Sequence, residues 1–209
     1  MTTTTSPFHT RTELIRRLGS STFNYWFGYV ANLSLVGWLV SHAFSHACGR
    51  GAALGAPAFA AFAGAGLLAW TLAEWLLHRY VYHLWTSFLS AGHGLHHDSP
   101  RALIGVPWYL TTVLVVLAYE LAAVPFRPGS TGVVMGFAWL GYIFYCAAHH
   151  ASHHAHPSRG WLERMKRHHL LHHAHPGTNW GFTTPLWDHV FGTHYDDAGR
   201  ASASTRPAT

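Results

Sequence analysis

Four long apolar stretches, separated by short polar ones, dominate the pattern of this chain. The first, FNYWFGYVANLSLVGWLVSHAF (23–44), has about the ~20-residue length of a membrane-spanning helix. The second, GAALGAPAFAAFAGAGLLAWTLAEWLL (51–77), is rich in the small residues that let membrane helices approach closely, with Pro57 at its first turn or a kink. A third runs from about 106 to 124 and a fourth from 131 to 148. The connections 45–52 and 125–131 are short, so each pair reads as a helical hairpin. Beyond the fourth stretch, HHASHHAHPSRG carries the helix onward until Pro157 stops it. Ser158 is placed to cap a further helix over 160–174. The pattern predicts an all-α integral membrane fold of four transmembrane helices with a cytoplasmic helical cap.

Charge supplies the orientation. With both termini inside, eleven of the 13 Lys and Arg residues fall inside and only Arg50 and Arg127 outside, as cytoplasmic retention of positive charge requires. The polar segment 1–22 lacks the features of a removable signal peptide. Residues 23–197 read as one membrane domain, and the tail 198–209 as disordered. Twelve Arg to one Lys, with abundant Ala and Gly, suggest a bacterial inner membrane. No basic block interleaved with aromatics is present, which argues against nucleic-acid binding. Cys48 and Cys146 fall near opposite membrane faces, so no disulfide is expected.

Composition then changes the picture. Histidine occurs 20 times, and fifteen of these lie in 78–97 and 149–175, all at the cytoplasmic ends of the spans or just beyond. Imidazole is a good ligand for iron, zinc, copper and nickel, and nitrogens three or four residues apart share a helix face. HRYVYH holds His78 and His83, which diverge by about 140° on an α-helix. HGLHH holds His93, His96 and His97 on a turn or short helix, with Gly92 and Gly94 permitting a tight entry. HHASHH offers two equally spaced pairs, His149/His153 and His150/His154. HHLLHH places His169, His172 and His173 within an arc of about 100°, and His168 shares a face with His172 too. Helix geometry leaves these choices open. So many imidazoles exceed what one ion binds, and a pair of redox metals beside an apolar bundle suggests oxygen chemistry on a lipid.

The order HRYVYH, HGLHH, HxxxH, HHLLHH and GFTTPLWDHVFGT, over about 70–195, resembles the membrane-bound fatty acid hydroxylase/sterol desaturase superfamily, and within it the fatty acid 2-hydroxylase type. The resemblance implies ten metal ligands: His78, His83, His93, His96, His97, His149, His153, His169, His172 and His173. The GYxxYxxxH framing selects His149 over His150, and HxxHH sets His168 aside. It further implies two Fe ions, with Zn as a substitute in recombinant protein, O2 as co-substrate, and hydroxylation of a C–H bond in a membrane lipid. Two departures stand out. The segment LWTSFLSAG is nearer in length to carotenoid hydroxylases, and no fused cytochrome b5 domain is present. Electrons are therefore expected from a separate cytochrome b5-like or ferredoxin-type protein.

Beyond the ligands, Glu74, one turn before His78, is expected to accept a hydrogen bond from a ligand histidine. Asp98 and Asp188 are weaker candidates for the same role, with a local cap as the alternative for Asp188. His42 and His46 read as an interfacial polar pair rather than a second metal site, and His189 as a bystander or outer support. The rival functions are a carotenoid hydroxylase or sterol-type oxidase and, in another class, a metal transporter. A transporter would need polar ligands through the bilayer midplane, where the spans are nearly empty of them.

Overall fold

The computed structural model describes residues 19, 21–48, 54–157 and 159–196, and every regular element among them is helical. The expectations for the terminal segments, Arg50 and Ser158, and for the side chains of His46 and Cys48, fall outside what is described. Helix α1 (Thr22–Cys48) is followed by α2 (Ala56–Leu76), which starts with Pro57 in its first turn and runs straight into a π-helical segment, Leu77–Leu84. Then come α3 (Phe88–Asp98), α4 (Trp108–Ala123), α5 (Pro128–His154), α6 (Trp161–Ala174) and α7 (Leu186–Val190).

Among the described residues, three helices are long and apolar enough to cross a membrane: Thr22–Ser45, Ala56–Leu84 and Pro128–His154. The chain is thus a multi-pass membrane protein with three clear spans, where the pattern predicted four alike. Helix α4 is apolar but has 16 residues. That gives it a length of ~24 Å, against a hydrocarbon core of ~30 Å. Its limits are chemical, because Pro107 and Pro125 stand just outside its ends and neither supplies a backbone N–H.

Helix α5 packs between α1 and α2, and α1 also packs on α4. Leu35 and Leu39 of α1 meet Val115 and Tyr119 of α4, while Ala43, Ala63 and Val133 join α1, α2 and α5. The α1–α5 approach depends on Gly132, where a Cβ would meet Ala43 Cβ at 2.7 Å and the Leu39 carbonyl oxygen at 2.8 Å. Backbone oxygen cannot move aside as a flexible side chain would. Gly132→Val is therefore expected to destabilise the bundle by about 1–3 kcal/mol, read as a lower unfolding temperature in detergent. An unchanged transition would mean that the helices do not pack this closely.

Helices α1 and α4 begin, and α2 and α5 finish, at one end of the bundle. There Asn24 Oδ1 accepts from the Trp108 N–H at 3.1 Å. Met165 of α6 and Phe182, from the loop before α7, pack on Ala148 of α5 at the same end. Ser87 and Ser90 form a capping box at the start of α3, so HGLHH lies inside a helix and Gly92 and Gly94 make no turn. Gly160 precedes α6 at φ 90, a left-handed conformation suited to glycine.

Candidate metal centre

Nine of the ten predicted histidines converge in two adjoining groups, and the tenth, His173, borders the second. The first consists of His78, His83, His93, His97 and His172, whose ligating nitrogens all lie within 4.8 Å of one another. His78 and His83 share this group because their segment is π-helical. In i→i+5 bonding, residues five apart return to nearly the same face, which removes the divergence an α-helix would impose. His93 Nε2 stands 3.0 Å from the Nε2 of both His78 and His83, and 3.1 Å from that of His97. His172 Nε2 closes the group at 3.2 Å from both His83 and His97.

The second group consists of His96, His149, His153 and His169, again within 4.8 Å. His169 Nε2 lies 2.9 Å from His149 and 3.1 Å from His153. His173 borders it, with Nε2 3.1 Å from that of His169 and its ring stacked on His97 at 4.2 Å. Each HxxHH box is therefore divided. In α3 the i,i+4 pair His93/His97 serves the first group and His96 the second. In α6 the i,i+4 pair His169/His173 faces the second and His172 the first. An arc on a helical wheel could not show this division, which depends on the helix lying between the two groups.

The histidines set aside by the resemblance meet other neighbours. His150 is hydrogen-bonded to the Tyr25 hydroxyl at 2.9 Å and stacks on His154, away from both groups. His168 turns the opposite way, its Nε2 3.0 Å from Asp188 Oδ2. His189 is exposed and stacks on His194 at 4.0 Å. His42 stacks on Trp38.

The donor chemistry calls for cations. His78 Nδ1 donates to the Trp180 carbonyl at 2.6 Å and His172 Nδ1 to the Thr178 carbonyl at 2.7 Å. In a neutral imidazole that assignment leaves Nε2 as a lone pair, and both Nε2 atoms point into the first group. His96 Nε2 is buried with no hydrogen-bond partner among the described residues. Burial first, helped by neighbouring imidazoles, holds His96 down to about 2 and His173 to about 3; burial also holds His172 at about 3, although its bond to the Thr178 carbonyl pulls the other way. His93 and His169 are driven well below the ordinary imidazole value for the same reasons. Neutral lone pairs packed around a common point repel one another unless a positive ion lies between them.

A pH dependence follows. These histidines stay neutral in the fold while the unfolded chain protonates near the ordinary value of 6.5. The unfolded state then binds more protons, so stability present above that value is lost as pH falls through it. The metal-free protein is expected to lose unfolding temperature between about pH 7 and about pH 5, with metal retention falling in parallel. A flat profile would mean that these side chains are not buried together.

The carboxylates act elsewhere than expected. Glu74, 4% exposed, accepts from the Phe182 N–H, from the Thr183 N–H at 2.8 Å and from the Thr183 hydroxyl, not from a histidine. Asp188, with no exposed surface, accepts from Trp75 Nε1 (3.0 Å), the Trp180 N–H (2.8 Å), the Gly181 N–H (2.9 Å), the Thr193 hydroxyl (2.7 Å) and His168. Burial pushes its carboxyl up, but the bonds from His168, Thr193 and Gly181 outweigh this and hold it below the usual range. Both carboxylates thus fasten the segment 180–183, whose Trp180 carbonyl orients His78. Asp98 is exposed.

Sequence reasoning missed the segment 178–180, whose contribution is backbone. Asn179 takes a left-handed φ of 54 and is held by bonds to both the N–H and the carbonyl of Tyr195. It also missed a cavity beside both groups, where His93, His96 and His149 face Tyr25, Tyr29 and Ile143. Aromatics and small residues of α1 that read as ordinary span residues form its far wall.

The sequence model described as fatty acid hydroxylase matches residues 63–193. The dihydroceramide fatty acyl 2-hydroxylase FAH1 of Arabidopsis thaliana is 30% identical over 178 residues, covering 81% of this chain and 73% of that one. The ceramide very long chain fatty acid hydroxylase scs7 of Schizosaccharomyces pombe is 29% identical, covering 68% of this chain and 45% of the relative. For the human fatty acid 2-hydroxylase the identity is 32%, over 61% of this chain and 38% of the relative. The chain therefore spans less than half of these two longer relatives. A solved structure described as full-length scs7p, with only the hydroxylase domain visible, superposes with a TM-score of 0.68 at 23% identity. It covers 89% of this chain and 78% of that chain and shares the fold.

Proposed function

The chain belongs to the fatty acid hydroxylase family, membrane oxidoreductases with histidine-box metal sites, and from that premise we propose that it hydroxylates an unactivated C–H bond of a fatty acyl chain. The observation that carries this reading is the pairing of two imidazole groups with a cavity lined by residues of α1 and α5 together with His93, His96 and His149. One ion would be held by His78, His83, His93, His97 and His172, the other by His96, His149, His153 and His169 with His173 beside them. Two irons would supply O2 activation there; zinc would fit the same nitrogens but is redox-inactive.

The protein's own part is positioning. The Trp180 and Thr178 carbonyls fix the tautomers of His78 and His172. Glu74 and Asp188 hold the segment that carries the first of these carbonyls. The cavity walls take the acyl chain from the bilayer and keep water from the reacting carbon. We read α4 as a short fourth crossing, the charge asymmetry as placing termini and site in the cytoplasm, and the composition as that of a bacterial inner membrane. Electrons come from a separate donor protein.

Lipid mass spectrometry of cells expressing the protein tests the reading. Acyl chains heavier by one oxygen, absent from a control with an empty vector, support it. Hydroxylated carotenoid alone would overturn the acyl assignment in favour of a carotenoid hydroxylase.

A further inference from the structure

Three buried side-chain polar atoms have no hydrogen-bond partner among the described residues: Trp70 Nε1, His96 Nε2 and Trp180 Nε1. The second group accounts for His96, and Trp70 lies inside the bundle against Tyr142 and Tyr145. Trp180, 4% exposed, differs because its indole packs on the first group. Its ring centre stands 4.9 Å from that of His83, 5.2 Å from His172 and 5.6 Å from His78, three of the five residues gathered there. An indole nitrogen only donates, and a buried tryptophan ordinarily finds an acceptor for it. The adjoining imidazoles offer none. His78 and His172 use Nδ1 as donors to backbone carbonyls and turn Nε2 toward the other members of the group.

The backbone that carries the indole is held on both sides. The Trp180 N–H donates to Asp188 Oδ1 at 2.8 Å, and its carbonyl accepts from His78 Nδ1 at 2.6 Å. Asn179, just before it, bonds to the carbonyls of His168 and Tyr195 and to the Tyr195 N–H. A buried donor left unmatched by the chain, walled by three ligands of one ion, calls for an acceptor carried by that ion. Five nitrogens leave a six-coordinate ion one further position. We propose that Trp180 donates its indole N–H to the non-protein ligand in that position, and that this ligand is a small anion. A divalent ion among five neutral imidazoles keeps its positive charge, which favours an anion, and a donor fixed beforehand stabilises it without reorganisation. Trp180 then sets how tightly the first position holds small oxygen- and nitrogen-donor ligands. This inference rests on the metal reading of the first group and is independent of which lipid is hydroxylated.

The test uses the full chain in detergent, loaded with Co2+ or with Zn2+, and azide as the anion. The visible absorption of cobalt reports azide binding, and 15N-labelled indole groups report hydrogen bonding in the diamagnetic zinc form. Trp180→Phe keeps an aromatic ring and removes the donor. It is expected to raise the Kd of azide by about tenfold at unchanged cobalt content. In the wild-type zinc protein, azide is expected to move one indole N–H resonance downfield. That resonance is recognised as the one cobalt displaces most, since Trp180 packs on three ligands. This wild-type measurement decides the matter if Trp180→Phe does not fold or load. An indole that azide leaves unmoved would overturn the proposal and place the N–H against an imidazole face. So would cobalt loss from Trp180→Phe with the same azide affinity in the sites still filled, which is a packing effect. A wild-type protein that takes up neither ion overturns the metal reading and this proposal together. Bound metal beside an indifferent indole overturns the proposal alone.

Discussion

Replacing His172 with alanine is expected to abolish hydroxylation, by at least about 100-fold, and to lower bound metal from about two ions per chain toward one or none. His172 is fully buried, and its Nε2 lies 3.2 Å from the matching nitrogens of both His83 and His97. Alanine removes one of the five nitrogens in the first group and leaves the Thr178 carbonyl without its donor. Changing an outer partner of a metal ligand already costs about 10–100-fold, so losing the ligand itself should cost more. Metal analysis beside lipid profiling reads both effects in one preparation. His150→Gln is the control, since that imidazole faces Tyr25 and should leave metal content unchanged. Full metal with wild-type product in His172→Ala would remove this residue from the centre.

The second large effect is expected at Asp188, although it touches none of the ten histidines. Its two oxygens accept five hydrogen bonds with no exposure to water. Asparagine has the same shape but one acceptor oxygen, and its amide would face donors such as the Gly181 N–H. Buried donors left unmatched, and a buried charge network broken, are expected to cost about 3–5 kcal/mol. Asp188→Asn should therefore unfold at a clearly lower temperature. It should also lose metal faster to a chelator, because the Trp180 carbonyl that orients His78 is no longer held. A variant with the wild-type unfolding temperature would show that the network is not closed. Normal stability with fast metal loss would separate orientation from folding.

How far the chain could be read depended on whether an argument was local. The four apolar stretches and the histidine boxes are local features; the stretches led to the helices, and the boxes, read through the resemblance, to histidines that the fold gathers in two groups. The choice of His149 over His150, and of His169 over His168, came from the resemblance, because both members of each pair fit a helix equally well. In the fold His150 meets Tyr25 and His168 meets Asp188, contacts that spacing along the chain does not reveal. The pairing of His78 with His83 was obscured by assuming an α-helix, for the π-helical turn is what brings them round. Glu74 was singled out correctly as unusual, but its partners, Phe182 and Thr183, lie more than a hundred residues away. No periodicity argument reaches that far. The length of α4 was overestimated because hydropathy ignores the two prolines that bound it.

The division of each HxxHH box between the two groups has a consequence for how the protein would fill. Helices α3 and α6 both lend nitrogens to both positions, so occupying one position immobilises the helices that the other needs. The ordering cost of the second ion is then largely met by the first. When iron is scarce, a population of such chains would sort into complete and empty molecules rather than uniformly half-filled ones. Scarcity would lower the number of working copies and leave the quality of each intact.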